Sequence, residues 1–311
     1  MNIMRQPAKL KKGDRVALLA PSMPCDPSRL LPSAAFFEEL GLEVEIMESC
    51  RLSHGYFSGN DEIRARDIMK AFTDPSIKGV FAIRGGYGAQ RILPLLDYSQ
   101  IAPKIFAGYS DITALHTVFN QRCGFITYHA PMAASELYEG KENVDPFTLR
   151  SFLGHIMEGY PEPQGLDCKA YSNRNQSERK SESNNNHCIQ SIKGQLCGGN
   201  LSVITSSIGS GSPYEIDTCG KILFLEDIQE APYRIDRMLL QLRQAGKFDN
   251  CRAIILGSFK PETTESIKQA IEEVLLPTNV PLWTDLSCGH TLPTLTLPLG
   301  TDVAVTYTYT Q

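Results

Sequence analysis

The sequence predicts an α/β protein of two domains: an N-terminal doubly wound parallel sheet, then a smaller C-terminal α/β domain with a mixed sheet. Three observations predict it. Short apolar runs alternate with helix-period segments through the first half, as parallel strands joined by right-handed crossovers require. Near Gly159 the composition turns polar and loses periodicity. Strand and helix patterns resume at Gly194 and end in an alternating tail. The expected divisions are 1–159, a polar interdomain connection over 160–193, and 194–311. A chain of 311 residues fits this, at roughly 100–200 residues per domain.

Residues 15–20 (RVALLA) read as a buried strand stopped by Pro21. Arg5, Lys9, Lys11 and Lys12 ahead of it give a superficial likeness to a secretory signal. Gly13 and Asp14 interrupt that approach and the apolar run is too short, so a strand is expected. Residues 30–40 have helical spacing and stop at Gly41. Residues 42–46 alternate as a strand. Asn60 can cap a helix reaching Phe72, with Ile63, Ile68, Met69 and Phe72 inward. Strand 79–83, helix 89–96, strand 104–109 and helix 111–121 follow. The expected sheet is flavodoxin-like or class I glutamine-amidotransferase-like, with its ligand site at the carboxyl ends of the strands. Residues 160–193 hold Pro161, Pro163 and the polar runs 173–177 and 181–186, which suit a connection. Beyond it come strand 221–225, a helix over 232–245 opened by Pro232, strand 252–256 and helix 265–275. Residues 302–310 alternate as a last strand.

Composition excludes several classes. Hydrophobic residues at 42% and charged residues at 21% are a globular balance. A net charge of −5 gives no basic face for nucleic acid. No apolar stretch approaches the ~18 residues of a membrane span. Nine cysteines, an odd number at scattered spacing, suit a reducing cytoplasm better than a disulfide scaffold.

The most informative local feature is AGYSD at 107–111. A strand ends, a Gly stands two residues before Ser110, and a helix begins at once, the context of a nucleophile elbow. Ile112 replaces the second Gly of that motif, and a Ser that merely caps the helix fits the same residues. RGGYGA at 84–89 follows the strand ending at Ile83. Its glycines let backbone N–H groups approach a ligand, as half of an oxyanion hole or as an ordinary turn. A Ser nucleophile needs a base and an orienting acid. Among six histidines, His54, His155 and His187 stand in polar loop or helix-end contexts. His116 faces core or solvent along its helix, His129 follows a strand and either lines a site or serves structure, and His290 sits in a loop. Glu226 ends a strand where side chains reach clefts; a surface acid is the alternative, as for Asp227. Neither H-E-x-x-H nor a paired C-x-x-C is present, so metal chemistry is weak, and nothing near Cys288 lowers its pKa.

Six segments then occur in order over nearly the whole chain: VALLAPS, IRGGYGAQRILPLLD, FAGYSDITALH, GQLCGGNLSVI, ILFLEDIQEAPYRIDRMLLQL and CGHTLPTLTLPLG. Together they resemble the LD-carboxypeptidase family of serine peptidases, which also contains the microcin-immunity peptidases. The resemblance implies a Ser-Glu-His triad split between two domains, with no metal and no cofactor. Its nucleophile falls on Ser110, its base on His290 and its acid on Glu226, with Glu230 one helical turn on as a competitor. The oxyanion hole falls on the backbone N–H groups of Gly86 and Asp111. The polar stretch 173–187 is longer than the family's usual connector.

The implied reaction is removal of terminal D-Ala from the murein tetrapeptide L-Ala-γ-D-Glu-meso-diaminopimelate-D-Ala, in cytoplasmic peptidoglycan recycling, by a homodimer. Arg84, Tyr87 and Arg234 are candidate substrate contacts, with Arg237 a further partner for the free carboxylate. One rival reading is a microcin-immunity-type peptidase acting on a peptidyl-nucleotide toxin, which needs an aromatic platform; Trp283 is the only Trp. The other is a non-catalytic two-domain ligand binder. No nucleic-acid or membrane partner is expected.

Overall fold

A computed structural model of the chain describes residues 4–163, 165–171, 187–260 and 265–310. The polar runs 173–177 and 181–186 lie outside these residues.

Strand β1 (Arg15–Leu19) lies between β2 (Glu43–Ile46) and β3 (Ile77–Ala82). Beyond β3 come β4 (Ile105–Gly108) and β5 (Thr127–His129), every pair parallel. Along β1, Val16 and Leu18 join one core cluster while Ala17 and Leu19 join another. A period of two with both sets buried means that both faces are covered, the doubly wound arrangement. Helix α1 (Pro27–Glu38) begins at Asp26, whose carboxylate accepts from Ser28 N, and the chain turns left-handed at Gly41 with φ 84°. Helix α2 (Asp61–Thr73) begins at Asn60, whose side chain accepts from Ile63 N, and buries Ile68 and Phe72. Short helices α3 (Ala89–Ile92) and α4 (Thr113–Val118) follow β3 and β4, and α5 (Pro146–Ile156) closes this half.

The second sheet also has six strands. Strands β7 (His187–Asn200), β8 (Lys221–Ile228), β9 (Ala253–Lys260) and β10 (Leu282–Thr284) are parallel. Antiparallel edges are β6 (Lys169–Ala170) on β10 and β12 (Asp302–Thr310) on β7. Helices α6 (Leu201–Ser206), α7 (Pro232–Gln244) and α8 (Glu265–Leu275) accompany it. No described helix is long and apolar enough to cross a membrane.

Three features differ from the sequence expectation. The first sheet is mixed: β11 (Leu297–Leu299) adds an antiparallel edge to β5 from far along the chain. Its middle residue is Pro298, which lacks an N–H and is tolerated on an edge. Strand β7 begins at His187, before Gly194, because β12 pairs with its residues 187–195 and tertiary pairing overrides a polar local sequence. Residues 169–170, within the expected connection, are strand β6.

The chain thus leaves the second sheet at β10, crosses to the first as β11 and returns as β12. Two buried side chains of α5 hold this crossing: Thr148 Oγ1 accepts from Thr294 N at 2.9 Å and Ser151 Oγ from Thr296 N at 2.9 Å. Thr148→Val or Ser151→Ala leaves a buried amide without its acceptor, which costs about 1–3 kcal/mol. Each should lower the urea midpoint accordingly with an unchanged m-value.

Candidate active site

Strand β4 ends at Gly108, Tyr109 is extended, and Ser110 takes φ 64° before a single 3-10 turn feeds α4. A left-handed serine is strained, of order 1–3 kcal/mol, and persists only where its surroundings enforce it. They do. The Asp111 carboxylate accepts from Ser22 Oγ at 2.6 Å and Ala89 N at 2.8 Å, tying the elbow to the segments after β1 and β3. Burial pushes this carboxyl up, and those two donors oppose the shift. The helix start here has no side-chain cap, so Ser110 does not serve as one. A Cβ on Gly85 would stand 3.1 Å from Ser110 Oγ and 3.3 Å from Asp111 N. One on Gly86, whose φ is 114°, would strike Met23. Bare backbone is therefore what fits beside the serine.

Glu226 lies near the end of β8, beside Asn200 of β7. The β8–β9 register shifts between Leu225 and Asp227, a local irregularity of the kind that re-aims a side chain. The Glu226 side chain is fully buried, and its Oε2 accepts from His290 Nδ1 at 2.7 Å and from His290 N at 3.2 Å. Asn200 Nδ2 donates to Oε1 at 3.3 Å. The approach requires Gly289 (φ 107°), since a Cβ there would lie 2.5 Å from Oε2. Glu230, the competing acid, instead faces Arg234 at 3.4 Å.

Asp227 is buried rather than a surface acid. It accepts from Ser202 N at 2.9 Å, Ser202 Oγ at 2.6 Å and Asn200 Nδ2 at 3.0 Å, which fixes the start of α6. Burial holds its carboxyl above the usual range.

The His290 ring meets Tyr109 edge-on at 4.7 Å, and this contact brings the two sheets' residues together. Tyr109 donates to Glu136 Oε1 at 2.7 Å, and Glu136 Oε2 accepts from Met132 N at 2.9 Å. Burial pulls the His290 pKa down, but the Glu226 hydrogen bond and the charges of Glu226, Asp227 and Glu136 outweigh it and leave it raised. His129 is fully buried beside Tyr109 and Phe224, and burial, then the charge of His290, pushes it down to about 3. Burial likewise lowers His116 to about 3, with Nε2 against Gly108 O at 2.8 Å. Both are neutral wall residues. Among the described residues no hydrogen bond joins Ser110 Oγ to His290; such bonds commonly tighten only with substrate.

Of the other candidates, Arg84 adjoins the serine loop and donates to Pro24 O at 3.2 Å. Tyr87 is exposed, with its ring 5.7 Å from Phe57. Arg234 is engaged by Glu230 and Tyr233, and Arg237 lies over the Tyr233 ring. Cys288 is buried, and burial raises its thiol well above the ordinary value. Sequence reasoning missed Asn200, Tyr109 and Glu136. Asn200 stood in the quoted GGN segment; nothing local marks Glu136.

Family comparison agrees with this layout. Residues 16–130 match the LD-carboxypeptidase N-terminal domain and residues 193–305 the LD-carboxypeptidase C-terminal domain. A probable murein peptide carboxypeptidase of Bacillus subtilis is 36% identical, over 96% of this chain and 91% of the relative. The chain belongs to the LD-carboxypeptidase family. Among solved structures, muramoyltetrapeptide carboxypeptidase from Oxalobacter formigenes is 30% identical with TM-score 0.77, covering 93% of this chain and 94% of that one. The self-immunity protein MccF in complex with glutamyl sulfamoyl guanosine is 26% identical with TM-score 0.79, covering 100% and 99%. Within the family's two domains, Ser110 falls in the first match and Glu226 and His290 in the second.

A methyl group at position 289 would separate the acid from the imidazole. Gly289→Ala should therefore lower kcat by at least tenfold while the circular dichroism spectrum stays that of the wild type. Retention of full kcat would mean that the Glu226–His290 contact is not needed for turnover.

Proposed function

We propose that this LD-carboxypeptidase family member is a serine peptidase that removes terminal D-Ala from the murein tetrapeptide, using Ser110, His290 and Glu226. The observation that carries the reading is the buried Glu226 carboxylate 2.7 Å from His290 Nδ1, on a ring packed against the residue preceding a strained serine. With Nδ1–H donated to Glu226, Nε2 is left as the acceptor. Ser110 Oγ attacks the amide carbonyl as His290 Nε2 takes its proton. The tetrahedral oxyanion is received by the N–H groups of Gly86 and Asp111, each worth about 2.7–4 kcal/mol in comparable sites. The imidazolium, held by Glu226, then protonates the leaving amine and D-Ala departs. Water, activated by the same imidazole, hydrolyses the acyl-enzyme. A cytoplasmic role in peptidoglycan recycling, as a homodimer, belongs to the same reading.

The peptidyl-nucleotide reading has less support. Trp283, the one Trp in the sequence, is 1% exposed in the core of the second sheet and is not available to stack on a base.

Incubation of the protein with free tetrapeptide, followed by mass spectrometry, should yield tripeptide and D-Ala. Ser110→Ala should yield neither while remaining folded. Turnover of a peptidyl-adenylate with no turnover of tetrapeptide would replace this reading with the toxin-peptidase one.

The pH profile offers a separate check. The general base must be neutral, so kcat/KM should rise with pH through the His290 pKa, which is raised above 6.5. Glu226→Gln removes the carboxylate that favours the imidazolium. It should move that acidic limb to lower pH and reduce kcat by about 10³–10⁴-fold, the scale seen when the triad acid is neutralised. An unmoved limb would remove Glu226 from the triad.

A further inference from the structure

A cavity of about 380 Å³ is lined by Cys25, Asp26, Arg29, Arg84, Ala134 and Ser135. Its walls come from the segments after β1, β3 and β5. All three lie at the carboxyl edge of the first sheet, the edge that carries Ser110 after β4. Two half-buried arginines face it. Arg29 Nη1 donates to Ala134 O at 3.1 Å and Arg84 Nη1 to Pro24 O at 3.2 Å, each tethered by one main-chain bond. Among the described residues neither has a carboxylate within ion-pair distance, and each keeps free N–H donors. Arg29 is further fixed by the Tyr138 ring, 4.3 Å from its guanidinium carbon. The one acid on the wall, Asp26, spends Oδ1 on Ser28 N at 2.9 Å and Ser28 Oγ at 2.7 Å. The wall therefore carries a net single positive charge, which one carboxylate would balance.

We infer that this cavity binds a carboxylate of the peptide substrate, the terminal one, between Arg29 and Arg84. The inference rests on the carboxypeptidase reading above and names the group that reading left without a partner. Reach selects the terminal carboxylate. Arg84 directly precedes Gly85, whose Cβ position is 3.1 Å from Ser110 Oγ. The terminal carboxylate lies a few bonds from the scissile carbonyl, whereas the carboxylates of the D-Glu and diaminopimelate residues lie further along the peptide. Arg29 lies outside the motifs that mark the triad, so local sequence does not single it out.

The test pairs enzyme variants with substrate variants. Wild type, Arg29→Gln, Arg84→Gln and Arg84→Lys are assayed on tetrapeptide and on tetrapeptides amidated at the C-terminus, at D-Glu or at diaminopimelate. Thermal melts check folding, and calorimetric binding of the same peptides to the Ser110→Ala protein, with and without each Arg substitution, gives a readout free of turnover. The expected result is a KM (and, in Ser110→Ala, a Kd) raised about 10–100-fold on tetrapeptide by either Arg→Gln change, the scale of a lost charge-assisted pair. kcat should change far less. That penalty should vanish on the C-terminal amide alone and persist on the other two. Arg84→Lys should recover part of the loss. Equal penalties on all four peptides, a penalty that disappears with a different amide, or no penalty at all would each overturn the assignment while leaving the peptidase reading intact. Tetrapeptide neither cleaved nor bound by folded wild type would instead remove the peptidase reading itself, and the subsite with it.

Discussion

A single buried carboxylate organises the second half of this molecule. Glu226 is fully desolvated, and an uncompensated charge there would cost several kcal/mol. Three donors offset that cost: His290 Nδ1, His290 N and Asn200 Nδ2. Each imposes a local requirement. The ring and amide of one residue can both reach Oε2 only if the chain before it runs against the carboxylate, which demands Gly289 in a left-handed conformation. The amide of Asn200 reaches because β7 and β8 place it directly beside Glu226. The irregular β8–β9 register falls at this point, on a strand buried on both faces, so that Glu226 and the adjacent Asp227 both enter buried networks.

In the proposed reaction that pair is useful only if Ser110, carried by the other sheet, is held in register with it, since small misplacements are costly in rate. The joint between the halves is correspondingly specific. Thr113, at the start of the helix after Ser110, accepts from Asn200 N at 3.0 Å, and Gly199 leaves room for it. Asn200 thus touches the helix after Ser110 through its backbone and Glu226 through its side chain. On the other side of the imidazole, the chain following His290 is stitched into the first sheet as β11 before returning to the second. His290 therefore sits on a segment anchored in both halves, and the Tyr109 ring packs against its imidazole.

Much of this was legible in the sequence because it is local. Strand-then-helix periodicity fixed the first sheet, and a Gly two residues before Ser110 at a strand end marked the elbow. The alternative role of Ser110 as a cap failed for a backbone reason, its left-handed φ, which local composition does not encode. What stayed hidden is non-local. The family resemblance places the acid on Glu226, but residue type alone does not separate it from Glu230; the hydrogen bond from His290 to Glu226 does. Asp227 read as surface because its donors, Asn200 and Ser202, lie far away in sequence. The β11 crossing is three residues long and contains Pro298, so its pattern carries no strand signal. The polar start of β7 becomes strand only because β12 lies alongside it.

The distribution of charge around the serine gives the arrangement its direction. On the imidazole side stand Glu226, Asp227 and Glu136, each acting to stabilise a positive ring, while His116 and His129 are too buried to compete for the proton. Arg29 and Arg84, with only Asp26 as an acid beside them, line a separate cavity at the carboxyl edge of the first sheet. In the proposed reading, a substrate carboxylate would be met by the arginines while the acids stabilise the His290 ring. In that reading the acids favour proton transfer onto His290 and the arginines favour capture of the carboxylate. The strain at Ser110, whose φ is 64°, is the local cost of the sharp turn that carries its hydroxyl.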